Sequence, residues 1–118
     1  MNLNKSDQTV ILTHDYTDFD ALAAMLGAAL LFPDAVPVLP RLLNRNVHDF
    51  VTLYKNQLPF VAPDDLPPTH FDQVILVDSR SASLPKGVRK NATYRCIDHH
   101  PSTTPESDSV KFQEIWCE

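Results

Sequence analysis

A chain of 118 residues fits one domain, able to bury roughly two thirds of the surface that its unfolded form exposes. Its apolar content of 43% suits a folded globular protein, and no apolar run is long enough to cross a membrane. The net charge is −5 and there is no run of lysine or arginine, which excludes a basic stretch that grips nucleic acid by itself.

Met1 to Gln8 is short and polar, without the apolar stretch of a signal peptide, so a cytoplasmic location is expected. Gln8 to Thr13 reads as a buried strand. Phe19 to Phe32 follows as a helix, apolar nearly all round and rich in alanine, as suits close packing on a sheet. Pro33 and Asp34 end it. Ala35 to Leu39 is a short second strand, cut off by Pro40. A second helix is expected from about Val47 to Leu58, with Val47, Phe50, Val51, Tyr54 and Leu58 as its apolar stripe and Asn46 as its cap. Pro59 to His70, with Pro63, Pro67 and Pro68, reads as a loop over the surface.

Phe71 to Asp78 holds the third strand, and Ser79 to Asn91 a loop with room for one helical turn before Gly87. Ala92 to Ile97 is the fourth strand, and Ser109 to Ile115 a fifth. Cys96 falls inside a buried strand. With Cys117 it is too little for a disulfide framework, so both are expected as free thiols. Strands alternating with helices predict an α/β fold: an open, mainly parallel sheet of about five strands with helices on both faces.

Three of the strands run into polar clusters. His14-Asp15-Tyr16-Thr17-Asp18-Phe19-Asp20 follows the first, Asp78 ends the third, and Asp98-His99-His100 follows the fourth. In an open parallel sheet the carboxyl ends of the strands share one edge, where ligands bind. His14, Asp18, Asp20, Asp78 and His99 are thereby expected in one crevice, and that much negative charge calls for a cation. Carboxylates mixed with imidazole shift the preference toward Mn²⁺ and its transition-metal neighbours. The set is too large for one tetrahedral zinc and suits two ions that share a bridging carboxylate. Two ions roughly 3.5–4 Å apart can stabilise the attacking and leaving oxygens of a phosphoryl displacement and acidify the water between them. No serine or cysteine nucleophile is then required. Only Gly27 and Gly87 occur in the chain, so it carries neither a P-loop nor a G-x-S-x-G elbow.

Each cluster also has an ordinary structural use. Thr17, Asp18 and Asp20 can cap the helix they precede. Asp78 can start a turn, and Asp98-His99-His100-Pro101 can be a polar loop. These uses leave unexplained why all three clusters fall at one sheet edge. His48 and His70 belong to no such pattern and read as a solvated helix residue and a loop residue.

H-x-x-x-D-x-D-A at His14, Asp18, Asp20 and Ala21, a lone aspartate after a strand at Asp78, and D-H-H at Asp98-His99-His100 resemble the first three motifs of the DHH phosphoesterases. The resemblance runs from about Thr9 to Pro101, in order and in spacing. That family includes RecJ-type exonucleases, oligoribonucleases, cyclic-dinucleotide phosphodiesterases, exopolyphosphatases and manganese-dependent inorganic pyrophosphatases. Phe32-Pro33 to Phe60, with Leu43-Asn44-Arg45-Asn46-Val47, looks most like the DHH segment fused to CBS and tRNA-nucleotidyltransferase-like domains in some bacterial proteins.

The resemblance implies a hydrolase of phosphodiester or phosphoanhydride bonds, acting on oligonucleotides or nucleotides through a hydroxide activated by two Mn²⁺ ions, with Mg²⁺ as the alternative. His14 and Asp18 would bind one ion, Asp20 and His99 the other, and Asp78 would bridge them. Asp98 would orient an imidazole, and His100 would donate to the scissile phosphate. Arg80, Asn44 and Arg45 are weaker candidates for contact with substrate phosphate. Single-stranded nucleic acid is the implied macromolecular partner, no membrane is implied, and dimerisation stays open. The family's fourth motif and second, DHHA1-type domain are expected beyond Glu118, because Asp108 lies too close to D-H-H to serve. The alternative is a catalytically idle DHH-like module, structural or regulatory, in a larger RNA-processing protein.

Overall fold

The computed structural model describes residues 8–67, 69–79 and 82–97, together with the backbone of 116–117. Val10, Ile11 and Leu12 place apolar side chains on both faces of one strand, the pattern of a strand covered above and below. That strand, β1 (Thr9–Leu12), accordingly lies inside the sheet, parallel to β2 (Val36–Pro37) on one side and to β3 (Phe71–Val77) on the other. β4 (Val88–Ile97) runs parallel to β3, giving the four-strand order β2-β1-β3-β4. A two-residue β5 (Trp116–Cys117) continues it beside β4. The parallel α/β sheet is the one the sequence predicts, while the stretch 109–115, expected as the fifth strand, lies outside the described residues. β4 begins at Val88 rather than Ala92, because Val88 pairs with Phe71 before a register shift brings Thr93 opposite Gln73.

α1 (Phe19–Leu31) carries Ala21, Leu22, Met25 and Ala28 along one side at helical spacing and buries them. They pack on Ile11, Ile75 and Val77, the side chains on one face of the sheet. The other side of α1 is apolar too, and leaves Leu30 76% and Leu31 72% exposed. α2 (Arg45–Leu53) begins earlier than expected and stops short of Leu58, where a 3₁₀ turn at Lys55–Gln57 takes over. Its cap is Asn44, not Asn46. The Asn44 side-chain oxygen accepts the N–H of Asn46 at 3.0 Å, and the Asn44 N–H is held outside the helix by the carbonyl of Thr17. Val47 of α2 joins the same core cluster as α1.

The opposite face of the sheet carries Val10, Leu12, Val74, Leu76 and Phe71. Among the described residues it is covered by the proline-rich segment, with Leu66 beside a 3₁₀ turn at Pro63–Asp65, and by Ala82. Val61 adds a single parallel bridge to Val38 at the sheet edge.

Gly87 is where two of these coverings meet. A β-carbon there would lie 2.6 Å from the carbonyl oxygen of Thr69 and 3.1 Å from the Phe71 ring, while the Gly87 carbonyl accepts the Phe71 N–H at 2.8 Å. Backbone on one side and a buried ring on the other leave a methyl group no room. Gly87→Ala is expected to lower the unfolding free energy by about 2 kcal/mol through overpacking, read as a lower urea midpoint at unchanged slope.

Candidate metal centre

The chain leaves β1 for β2 on one side and later returns to lay β3 on the other, so the direction of winding reverses at β1. The crevice over the carboxyl ends of β1 and β3 is the place where such sheets bind ligands. His14 and Asp18 follow β1, Asp78 follows β3, and one ligand atom from each lies within 4.8 Å of the others.

The local structure behind each of the three is specific. Thr13, buried, donates its hydroxyl to the carbonyl of Val77 at 2.8 Å and so clamps the ends of β1 and β3 together. Thr17, also buried, donates to the carbonyl of His14 at 2.9 Å and folds the loop back on itself. From outside, the Tyr16 N–H reaches the carbonyl of Leu42 at 2.7 Å, and Thr17 forms a parallel bridge to Leu43. His14 Nδ1 lies 2.8 Å from the carbonyl of Asp15, an acceptor, so Nδ1 carries the proton. Nε2 then presents its lone pair toward Asp78, the arrangement a ligating imidazole needs.

Asp78 is 8% exposed and adopts a left-handed backbone, φ 53°; Tyr16 is the only other described non-glycine residue there, φ 59°. Such conformations cost of order 1 kcal/mol or more and gather at functional sites. Both flank the same crevice. An ordinary turn at Asp78 would leave the carboxylate in solvent, whereas here it is buried.

Asp18 does cap α1, accepting the Ala21 N–H through Oδ1 at 3.0 Å. Capping occupies one oxygen of an exposed carboxylate and leaves the group able to meet an ion as well. His14 Nε2 and Asp78 Oδ2 are 3.8 Å apart, too long for a hydrogen bond. Bonds of about 2.0–2.2 Å to one ion would set neighbouring ligand atoms roughly 3–4 Å apart, so the spacing suits a shared cation. Two carboxylates and one imidazole form a donor set for Mn²⁺ or its neighbours.

The other predicted residues fall as follows. Asp20 stands exposed on the first turn of α1 and is not gathered into the group. Asn44 spends its side-chain oxygen on the α2 cap, and Arg45 is the exposed first residue of α2, next to the Asn44 contact with Thr17. Arg80, Asp98, His99 and His100 lie outside the described residues. The carbonyl of Ile97, immediately before Asp98, accepts the Asp78 N–H at 2.9 Å, so β4 ends at this same edge. Asp15, read from the sequence only as part of a polar run, turns away from the group, its Oδ2 3.5 Å from the Ser83 hydroxyl. No spacing signal in the sequence distinguishes it.

The family model for the DHH family, N-terminal domain, matches residues 8–117. The chain belongs to the DHH family. This DHH domain is also similar to an A-adding tRNA nucleotidyltransferase of Geobacter sulfurreducens, 31% identical over 101 residues, which covers 80% of this chain and 12% of that protein. It is 30% identical over 108 residues to an A-adding tRNA nucleotidyltransferase of Aquifex aeolicus, covering 90% of this chain and 12% of that protein. The chain thus spans about an eighth of the length of these curated relatives. No solved structure gives a significant match. Membership makes this a phosphoesterase-like domain of a metal-dependent family, and the His14–Asp18–Asp78 group is where its structure can hold a metal.

Proposed function

We propose that this DHH domain supplies the metal centre of a cytoplasmic phosphoesterase that hydrolyses phosphodiester or phosphoanhydride bonds in nucleotide or oligonucleotide substrates. The observation that carries the reading is the buried, left-handed Asp78 facing His14 and Asp18 at the switch point. His14 and Asp18 would hold one Mn²⁺ ion and Asp20 and His99 a second, with Asp78 available to both. When bound, the ions supply positive charge to the phosphoryl oxygens and lower the pKa of the attacking water. The Asp15 carbonyl and the Thr17 hydroxyl keep His14 in the tautomer and position that ligation requires. Asp98 orients an imidazole, and His100 donates to the scissile phosphate. Arg80 and Arg45 are candidate phosphate contacts.

A second reading draws on the relatives, both A-adding tRNA nucleotidyltransferases. In it the domain is a module of a longer RNA-processing protein and binds metal without hydrolysing. Mononucleotide release from a short single-stranded oligonucleotide, measured with and without Mn²⁺, separates the two. Hydrolysis that requires Mn²⁺ and falls by about a hundredfold or more in Asp18→Asn supports the phosphoesterase. Asparagine caps a helix as well as aspartate does, so the melting temperature of this variant stays unchanged. Mn²⁺ binding without hydrolysis supports the idle module.

A further inference from the structure

Of the 13 residues of α1 only Asp20 is polar. One side of the helix is spent on the sheet. On the other side Phe19, Ala23, Leu26, Gly27 and Leu30 stay exposed among the described residues. A helix that is apolar all round is normally covered all round. The uncovered side also has an order. Phe19, Ala23, Leu26 and Leu30 follow one another at spacings of four, three and four, the seam by which one helix meets a second.

α2 widens this face at the amino end of α1. The Phe50 ring meets Phe19 edge-on with 5.6 Å between centroids, and meets Tyr54 at 4.9 Å. All three rings stay partly exposed, as does Leu53, one helical turn from Phe50. With Leu26 and Leu30 they leave roughly 600 Å² uncovered, so two such faces would bury about 1,200 Å², the size at which specific interfaces begin.

The spacing selects a second copy as the occupant. A four-three-four seam reads the same in both directions, so an antiparallel copy matches it layer for layer. Phe19 then lies on Leu30 and Ala23 on Leu26, and the same pairs repeat in reverse. In the two central layers each small side chain faces a large one, the alternation that close packing needs. Gly27 flanks these layers with open space where a side chain would be, which lets a second helix come near. No charge lies on the seam itself. Asp20, beside it, falls at opposite ends of an antiparallel pair, roughly 13 Å apart along the axis at 1.5 Å per residue and beyond the screening length of about 8–10 Å. A parallel pair would set the two carboxylates side by side.

We propose that two copies of this chain associate through α1, antiparallel about a two-fold axis at the level of Ala24 and Met25, with Phe50, Leu53 and Tyr54 of α2 at the margins. Self-association of this kind needs neither metal nor substrate, and does not rest on the phosphoesterase reading.

The experiment is sedimentation equilibrium of the whole chain in metal-free buffer. The mass is expected to rise from that of one chain to that of two across the micromolar range. Leu26→Glu and Leu30→Glu change outward-facing side chains that the core of a single copy does not use. Each is expected to raise the dimer dissociation constant by about a hundredfold, with the melt of dilute, monomeric protein unchanged. Direction is read by mild oxidation. Ala23→Cys combined with Leu26→Cys should link two copies beyond the level of the parent chain, while Leu26→Cys alone should not. A single chain at every concentration overturns the proposal, and assigns the face to a different partner or to another segment of a longer chain. A dimer that both glutamate variants leave intact overturns it too, because association then uses another surface. Efficient linking by Leu26→Cys alone overturns the antiparallel arrangement.

Discussion

Asp78→Asn is expected to keep the fold and lose the metal. Asparagine is among the few side chains that enter the left-handed region readily, so the backbone at φ 53° survives the exchange. The amide is close in volume to the carboxylate, and the N–H to Ile97 is untouched. What disappears is the negative charge facing His14, the feature that makes the group attractive to a divalent ion. Calorimetric titration with Mn²⁺ should show affinity reduced by about a hundredfold or more, beyond the 10–100-fold typical of losing an outer-shell partner. The thermal melt in metal-free buffer should match that of the parent chain within about one degree, as for a change worth a few tenths of a kcal/mol. Asp78→Ala would lose the metal too, but adds a strained backbone costing about 1–2 kcal/mol, so its melt should fall. Undiminished Mn²⁺ affinity in the asparagine variant would remove Asp78 from the metal centre.

Phe71→Ala is expected to cost the fold about 3–5 kcal/mol, much of the margin of a small domain. The ring is 1% exposed and belongs to the cluster of Val10, Leu12, Val38, Val74 and Leu76. No α-helix among the described residues covers that face, whose cluster also takes in Leu66 and Ala82 from neighbouring loops. Gly87, already pressed against the ring, loses its support at the same stroke. Urea denaturation followed by circular dichroism measures the loss, and Phe71→Leu, which keeps most of the volume, should cost about 1–2 kcal/mol. Equal stability of the alanine variant would mean that this face is not a packed core.

The strands were legible because parallel strands buried on both faces are continuous apolar runs, as Val10-Ile11-Leu12 and Val74-Ile75-Leu76-Val77 are. The grouping of His14, Asp18 and Asp78 was legible for a topological reason: whatever follows such runs must meet at one edge. The cap of α2 was misplaced because its decisive bond, Asn44 N–H to the Thr17 carbonyl, is tertiary and leaves no local signature. β4 was read too short because Arg89, Lys90 and Asn91 look like loop, yet Arg89 pairs with Asp72 at 2.7 Å across the strands. The cavity of about 970 Å³ on the sheet face opposite α1 was not legible at all. Its walls come from four separate stretches of chain, and only their packing makes a space.

The Thr13 hydroxyl and the Val77 carbonyl that clamp the site are 64 positions apart along the chain. A centre assembled from such distant segments has no precursor in the unfolded polypeptide, because closing so long a loop costs entropy that only the folded sheet repays. A metal that binds there recognises only the finished sheet. By mass action it then acts as a folding ligand, and at a free concentration about a hundred times its dissociation constant it adds about 2.7 kcal/mol to the native state. The lifetime and abundance of this domain inside a cell should therefore follow the local supply of the ion, quite apart from any catalysis it performs.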